Sequence, residues 1–343
     1  MKHISAKLLA LSLLFSLSTK AQDIHFSQHY FSPLTEDPAL TGDMDGTYRF
    51  GAIYRSQWGS ITGPFVYQTP SIYGDFDLFK GSNSGSNLGI GALIVQDKQG
   101  DGNLTNTTAE GSLAWHQSVD GTGNYLVSLG IQAGYVQMRI DPTALSFYDQ
   151  WNGLDFSHFA TGDVVGPSLG YVDVNAGLGF SAIIGDNSRA TLGFGAFHLN
   201  SPKESFLNGS TNVTNIRDPR YVAHAASSFM IDHKIFLYPN ISYALQGADQ
   251  ELTIGSLVGI NFSQSRYHMG TIGYAGILYR SQDAIIPTVG FIMQGLQFGI
   301  AYDVNISSLN VASGGQGAYE IGVRYVGAVE YPKKQKHIFC PRM

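Results

Sequence analysis

The chain has 343 residues, 13% of them charged, with 41 glycines and a formal net charge of −6. A charged fraction about half the usual ~25%, with glycine above its usual ~7%, favours a glycine-rich β protein over a helical enzyme. The mild charge and the absence of a basic stripe argue against nucleic acid as a partner, and a single cysteine, Cys340, rules out an intramolecular disulfide scaffold.

Residues 1–21 read as a secretory signal: Lys2 and Lys7 are basic, 8–17 is apolar, and Thr19-Lys20-Ala21 supplies small residues before a cut. No later apolar run approaches the ~18 residues that a spanning helix needs, so any membrane crossing is made by strands. Residues 22–46 show little alternation, and Pro33 and Pro38 discourage both helix and ladder pairing. This segment is expected to be a periplasmic arm or a lumen plug, with an inert arm as the plain alternative. His25 and His29 are four apart without a helical pattern, a weak basis for a metal site.

From residue 47 a period of two takes over. Strands are expected near 47–58, 65–78, 88–98, 105–119, 124–137, 170–184, 189–199, 220–231, 235–246, 251–262, 267–279, 284–293, 296–305 and 318–327. The alternation is clearest where Tyr125, Val127, Leu129, Ile131, Ala133 and Tyr135 oppose Ser128, Gly130, Gln132 and Gly134. It is as clear where Val172, Val174, Ala176, Leu178 and Phe180 oppose Asp173, Asn175, Gly177 and Gly179. Strands of about ten residues suit a tilted bilayer crossing. Every second connection is short, as at 120–123, 185–188, 232–234, 263–266 and 294–295, whereas 138–169, 200–219 and 306–317 are long. That asymmetry predicts an all-β, up-and-down antiparallel transmembrane barrel of about 14 strands over 47–330, with both termini periplasmic. The competing fold, a soluble sandwich or propeller, calls for shorter strands and a Lys- and Glu-rich exterior. Tyr48, Tyr54, Tyr125, Tyr135, Tyr171, Phe180, Tyr267, Tyr279 and Tyr325 fall towards strand ends, where interfacial girdles lie.

No catalytic or cofactor motif emerges. Gly89-Ile-Gly91, Gly177-Leu-Gly179 and Gly193-Phe-Gly195 lie inside strands without the following helix of a nucleotide loop, and read as glycines that relieve crowding. Asp173, Asp303 and Glu320 are expected to point inward and pair with lumen arginines such as Arg49, Arg55 and Arg324. His224 and His268 are expected inside strands, and no Gly-x-Ser-x-Gly elbow is present. Five aromatics in one long loop, Phe147, Tyr148, Trp151, Phe156 and Phe159, have the composition of interface anchors. The alternative is that this loop folds inward and caps the barrel. Residues 331–343 form a tail with Lys333, Lys334, Lys336 and Cys340, expected to make a periplasmic contact.

Gln22–Gly42 resembles the mature start of the PorP/SprF family of the Bacteroidetes type IX secretion system, through Phe26, Ser27, Gln28, Pro33, Leu34, Pro38, Ala39 and Gly42. Tyr54-Arg55-Ser56-Gln57-Trp58 is similar to the family's first-strand motif, and Tyr319-Glu320-Ile321-Gly322 with Cys340-Pro341-Arg342-Met343 to its close. The chain departs at Asp37, where Asn is common, and at Met343, where Phe is usual. The resemblance implies an outer-membrane, non-catalytic barrel, without cofactor, that assists export and surface anchoring of large adhesins bearing type IX C-terminal signal domains. It also implies links to gliding motility and a periplasmic peptidoglycan-binding lipoprotein. Candidate partner contacts are Phe26, Ser27, Gln28, Pro33 and Pro38, the five loop aromatics, and Cys340, Pro341 and Arg342. The alternatives are a diffusion channel or hydrophobic-substrate transporter, and an outer-membrane hydrolase with a Ser/His pair.

Overall fold

A computed structural model describes residues 23–59, 66–78, 86–100, 102–121, 123–156, 166–184, 188–206, 215–232, 234–263, 270–308 and 310–329. Fourteen antiparallel strands form a closed barrel in which each pairs with its sequence neighbours. They are β1 (Tyr48–Gln57), β2 (Tyr67–Leu78), β3 (Ser86–Gln99), β4 (Leu104–Ser118), β5 (Tyr125–Arg139), β6 (Ser168–Ile184) and β7 (Ser188–Phe197). The rest are β8 (Arg220–Asp232), β9 (Ile235–Gln246), β10 (Asp249–Asn261), β11 (Ile272–Arg280), β12 (Ala284–Met293), β13 (Leu296–Asn305) and β14 (Gln316–Gly327). β1 closes on β14 from Tyr48 opposite Gly327 to Gln57 opposite Ala318, which leaves no free edge. The expected 267–279 strand begins later, at Ile272; 264–269, with Tyr267 and His268, lie outside the described residues.

Two-residue periodicity sends alternate side chains to opposite faces. On β6, Val172, Val174, Leu178 and Phe180 face outward while Asp173 and Asn175 are buried; on β5, Ile131 is 62% exposed and its neighbour Gln132 1%. The wall is therefore apolar outside and polar inside, the reverse of a water-soluble domain, as an outer-membrane barrel requires. No helix among the described residues is long and apolar enough to cross a membrane, so the strands alone supply the wall.

Outward aromatics cluster at the strand ends: Tyr48 with Tyr325, Phe50 with Phe76 and Tyr125 with Phe180 at one mouth, and Tyr54 with Tyr319 at the other. Tyr171 departs from the girdle expectation. It shares the inward parity of Asp173, and its hydroxyl donates to Glu204 at 2.5 Å. The two mouths differ in their connections: one carries 140–167 and 198–219, and the other carries the short turns at 233–234 and 294–295 together with the start of β1 and the end of β14.

Candidate functional site

The lumen is threaded by residues 23–46. The Asp23 N–H donates to Gln246 Oε1 at 3.0 Å, and its carboxylate meets Arg217 and, at 2.6 Å, His198 Nε2, all at the loop-rich mouth. Twenty residues on, Asp43 accepts from Ser181 Oγ at 2.8 Å and from Arg189, at the mouth of the short turns. The segment thus runs the length of the barrel before turning into β1. Asp23 consequently lies at the mouth opposite Tyr48 and Gly327. The two ends of the wall, Tyr48 and Gly327, share one mouth, and Asp23, the first described residue, lies at the other.

Three single 3-10 turns make up the segment: His29–Phe31, Pro33–Thr35 and Pro38–Leu40. Pro33 and Pro38 begin the second and third, where a proline's fixed φ suits a helical start and its missing N–H is not needed. Asp37 caps the third by accepting the Ala39 N–H at 2.7 Å. Phe26 and Phe31 pack with Ile53, and Leu34 packs with Tyr73, Leu93 and Val95. The strand glycines explain how backbone fits against wall: a Cβ at Gly89 would overlap the Thr41 carbonyl, at Gly130 Pro38, and at Gly177 and Gly193 the Asp37 carboxylate. These in-strand glycines form the trough that receives the segment.

Charge fastens it. Arg55, opposite Glu320 across β1 and β14, donates to Glu320 Oε1 at 2.6 Å and to Asp303 Oδ2 at 2.9 Å. Arg280 donates to the same Asp303 oxygen at 2.9 Å. Glu320 accepts the backbone N–H groups of Ser27 at 2.7 Å and Gln28 at 2.9 Å, while Ser27 Oγ donates to Asp303 Oδ1 at 3.0 Å. A shift in β13 pairing between Tyr302 and Val304 brackets Asp303, the kind of bulge that re-aims a side chain. Lower down, Arg49 grips Asp75 through two nitrogens, at 2.9 and 2.6 Å, and the second Asp75 oxygen accepts the Gly42 N–H at 2.7 Å. Burial raises the Asp43 carboxyl, but the Arg189 guanidinium, with His116 and the Ser181 hydroxyl, offsets this and holds it below the ordinary carboxylate value.

The expected arginine partnerships are met for Arg55 with Asp303 and Glu320, while Arg49 takes Asp75. Asp173 pairs with His198, and Arg324 donates to the Tyr30 carbonyl and Gln297 instead of a carboxylate. Asp75, Arg189, Arg217 and Arg280 were not singled out from the sequence; for Asp75 and Arg280, a charge at inward parity on a strand was the available signal. His25 lies 3.5 Å from Glu251 and His29 3.8 Å from Glu36, and His224 pairs with Asp37 at 3.0 Å. Among the described residues a Ser/His pair is present: His116 Nδ1 lies 2.7 Å from Ser128 Oγ, and its Nε2 lies 2.8 Å from the Thr41 carbonyl. Both side chains are buried beneath the segment, so this pair holds Thr41 and offers no surface to a substrate.

Phe26, Ser27, Gln28, Pro33 and Pro38, read from the sequence as partner contacts, are brought together in the lumen and buried against the chain's own wall. The loop aromatics are placed differently. Trp151 and Phe156 face each other across an isolated bridge with rings 5.0 Å apart, closed by Asn152, whose Oδ1 accepts the Leu154 and Asp155 N–H groups at 2.9 and 3.0 Å. Tyr148 and Leu154 are more than 90% exposed, so the described part of this loop projects outward and does not cap the lumen. Its base is tied to the β3–β4 turn by Asp141 N–H to Gly102 O at 2.7 Å, and Gly166 N–H bonds Phe206 O of the 198–219 loop at 2.7 Å. Phe159, Cys340, Pro341 and Arg342 lie outside the described residues, as do 1–22 and 330–343.

Comparison with known proteins agrees on both wall and lineage. The family model for the type IX secretion system membrane protein PorP/SprF matches residues 18–325. No curated protein matches. Among solved structures the chain is similar to the Pseudomonas putida toluene transporter TodX, with 9% identity, a TM-score of 0.50, and 85% of this chain and 92% of that one covered. The Ralstonia pickettii toluene transporter TbuX gives 11% identity, a TM-score of 0.47, and 87% and 94% coverage. The translocator domain of the autotransporter NalP from Neisseria meningitidis gives 12%, 0.39, and 83% and 90%. At these identities the likeness concerns the fold alone.

Proposed function

This chain belongs to the PorP/SprF family of type IX secretion system membrane proteins, and from that premise we propose that it is an outer-membrane docking and anchoring partner for large exported adhesins. On this reading the signal segment is removed, the loop-rich mouth faces the cell surface, and the cargo's C-terminal signal domain engages that mouth. The carrying observation is the Trp151–Phe156 pair, half-exposed on a loop already ordered by its own Asn152 turn. Half-exposed aromatics held by a local turn supply binding area at low entropic cost. The tail at 331–343 and a peptidoglycan-binding lipoprotein would meet at the periplasmic side.

A lumen threaded from mouth to mouth by the chain's own segment supports a scaffold over a conduit. The channel or transporter alternative requires the segment at 23–46 to leave the lumen, against the ion pairs that hold it. Replacing Trp151 and Phe156 together by Ala tests the docking role: surface-retained adhesin falls while the amount of heat-modifiable, folded barrel stays the same. Unchanged retention with the folded barrel present would remove the reading. Conductance of the purified wild-type barrel in planar bilayers would favour the alternative.

A further inference from the structure

On one side of the barrel the strands are longer than a bilayer crossing needs. β3 to β6 have 14, 15, 15 and 17 residues, against 9 or 10 in β11 to β13, where ~9–11 suffice. Register shows what the extra length carries on its outer face. Ile94, Ala109, Tyr135 and Val172 stand in one row across β3–β6, and Ile94, Tyr135 and Val172 are exposed, as lipid-facing residues are. The next row towards the loop-rich mouth is Gln96, Thr107, Gln137 and Gly170, and the one beyond it Lys98, Thr105, Arg139 and Ser168. In two steps the outer face turns from apolar to polar to basic. The Tyr135 hydroxyl marks the change: a Cβ on Gly170 would overlap it, so the ring rises to the level of the Gln137 row.

Among the described residues, Lys98 and Arg139 are the lysine and arginine on the outer face of the wall, and both are exposed. The other described arginines are engaged in the lumen and its mouths. Neither Lys98 nor Arg139 has a side-chain hydrogen bond or ion pair among the described residues. The described carboxylates nearest in sequence are turned elsewhere: Asp97 has inward parity and accepts Thr69 Oγ1 at 2.5 Å, and Asp141 accepts the Thr143 N–H at 3.0 Å and its hydroxyl at 2.6 Å. Two strand spacings separate the two cations, about 10 Å at ~4.8 Å each, a gap that two long stems close onto one anion. Each row rises about 5 Å along strands tilted ~40°, and the headgroup layer adds about 5–7 Å to each side of the hydrocarbon core. Gln96 and Gln137 therefore stand at headgroup level, and the Lys98 and Arg139 stems reach down to it. Cations without a protein anion, above amide and hydroxyl donors, are complementary to phosphate, and the row beneath is complementary to acyl chains.

We propose that the outer face of β3–β5 at the loop-rich mouth is a binding site for the phosphate headgroup of an anionic lipid, clamped between Lys98 and Arg139. Gln96 and Gln137 donate to the headgroup, and the acyl chains lie on Ile94 and Tyr135. Arg139 ends β5, so the lipid sits at the foot of the 140–167 loop. The site rests on the wall meeting lipid and is independent of the adhesin role. Native mass spectrometry of the purified full-length barrel in detergent tests it, with phosphatidylglycerol titrated against phosphatidylcholine of the same chains. Phosphatidylglycerol binds about 25-fold tighter, about fivefold for each cation. Lys98→Gln and Arg139→Gln each remove about fivefold, the double variant removes the preference, and Lys234→Gln, an exposed cation at the other mouth, leaves it unchanged. Folding of each variant is read from heat-modifiable gel mobility. Equal affinity for the two lipids, a preference that survives in the double variant, or one lost equally in Lys234→Gln would each overturn the site. So would a homodimer that the double variant dissociates, which would assign the patch to a second copy of the chain.

Discussion

Phe31 and Trp151 are both aromatic residues outside the barrel wall, yet Phe31 is fully buried and Trp151 is 48% exposed. The segment around Phe31 is tied to the wall through Glu320, Asp303, Asp75 and His224. The loop around Trp151 answers its own, through Asn152 and Gln150, and spends its rings on each other. The lesson is that internal order comes from two sources here. The lumen segment is ordered by the barrel and contributes to its stability; the loop is ordered locally and remains available to something else.

The contrast can be broken first at Glu320. Replacing Glu320 by Ala removes one of the two carboxylates that Arg55 meets and leaves two backbone N–H groups without their acceptor, which costs about 3 kcal/mol, the lower end for a broken buried pair because Asp303 stays in place. Denaturant unfolding of the detergent-solubilised barrel measures it. Replacing Arg55 and Glu320 together by Leu recovers part of that loss, and a double-mutant cycle shows the coupling.

A smaller effect is expected at the trough. Gly177→Val forces a side chain against the Asp37 carboxylate, with an overpacking cost of about 1–3 kcal/mol, and displaces the segment. Limited proteolysis should then cut within 23–46 while the wall remains folded. Intact protection would show that the trough tolerates bulk and that the close fit is not what holds the segment.

Acid loosens the lower end. Since the Asp43 carboxyl lies below its ordinary value in the folded protein, the stability it contributes is complete above about 3.8 and is lost as pH falls through the lowered folded value. Protease sensitivity of the segment should rise on acidification below pH 4, and Asp43→Asn should produce part of that sensitivity at neutral pH. The least effect on stability belongs to the loop. Trp151→Ala with Phe156→Ala should shift unfolding by no more than about 0.5 kcal/mol, as expected where no buried contact is lost. A large loss there would mean that the aromatic pair supports the barrel and is not free for a partner.

The wall was readable because its signal is local. In β9, β12 and β13 the expected bounds coincide with those observed, and most others agree within a few residues. Membership of the PorP/SprF family was readable from short motifs at both ends of the chain, and those at Phe26–Gln28, Tyr54–Trp58 and Tyr319–Gly322 converge on one buried node of Ser27, Arg55 and Glu320. The course of 23–46 was not readable. Single 3-10 turns leave no periodicity, and proline shows only what such a segment cannot be. The glycines that receive it looked like ordinary relief of crowding until their neighbour across the lumen was in place.

Sequence alone determined which side chains meet lipid and which meet the interior, because a strand's period of two admits no other assignment once one face must be apolar. It thereby determined a closed wall of fourteen strands. Tertiary structure alone decided that residues 23–46 thread the interior and which charge answers which. Those outcomes depend on pairings such as Ser27 with Glu320 and Asp37 with His224, between groups hundreds of residues apart. Barrel closure brings them within hydrogen-bonding distance, and no local pattern encodes that distance.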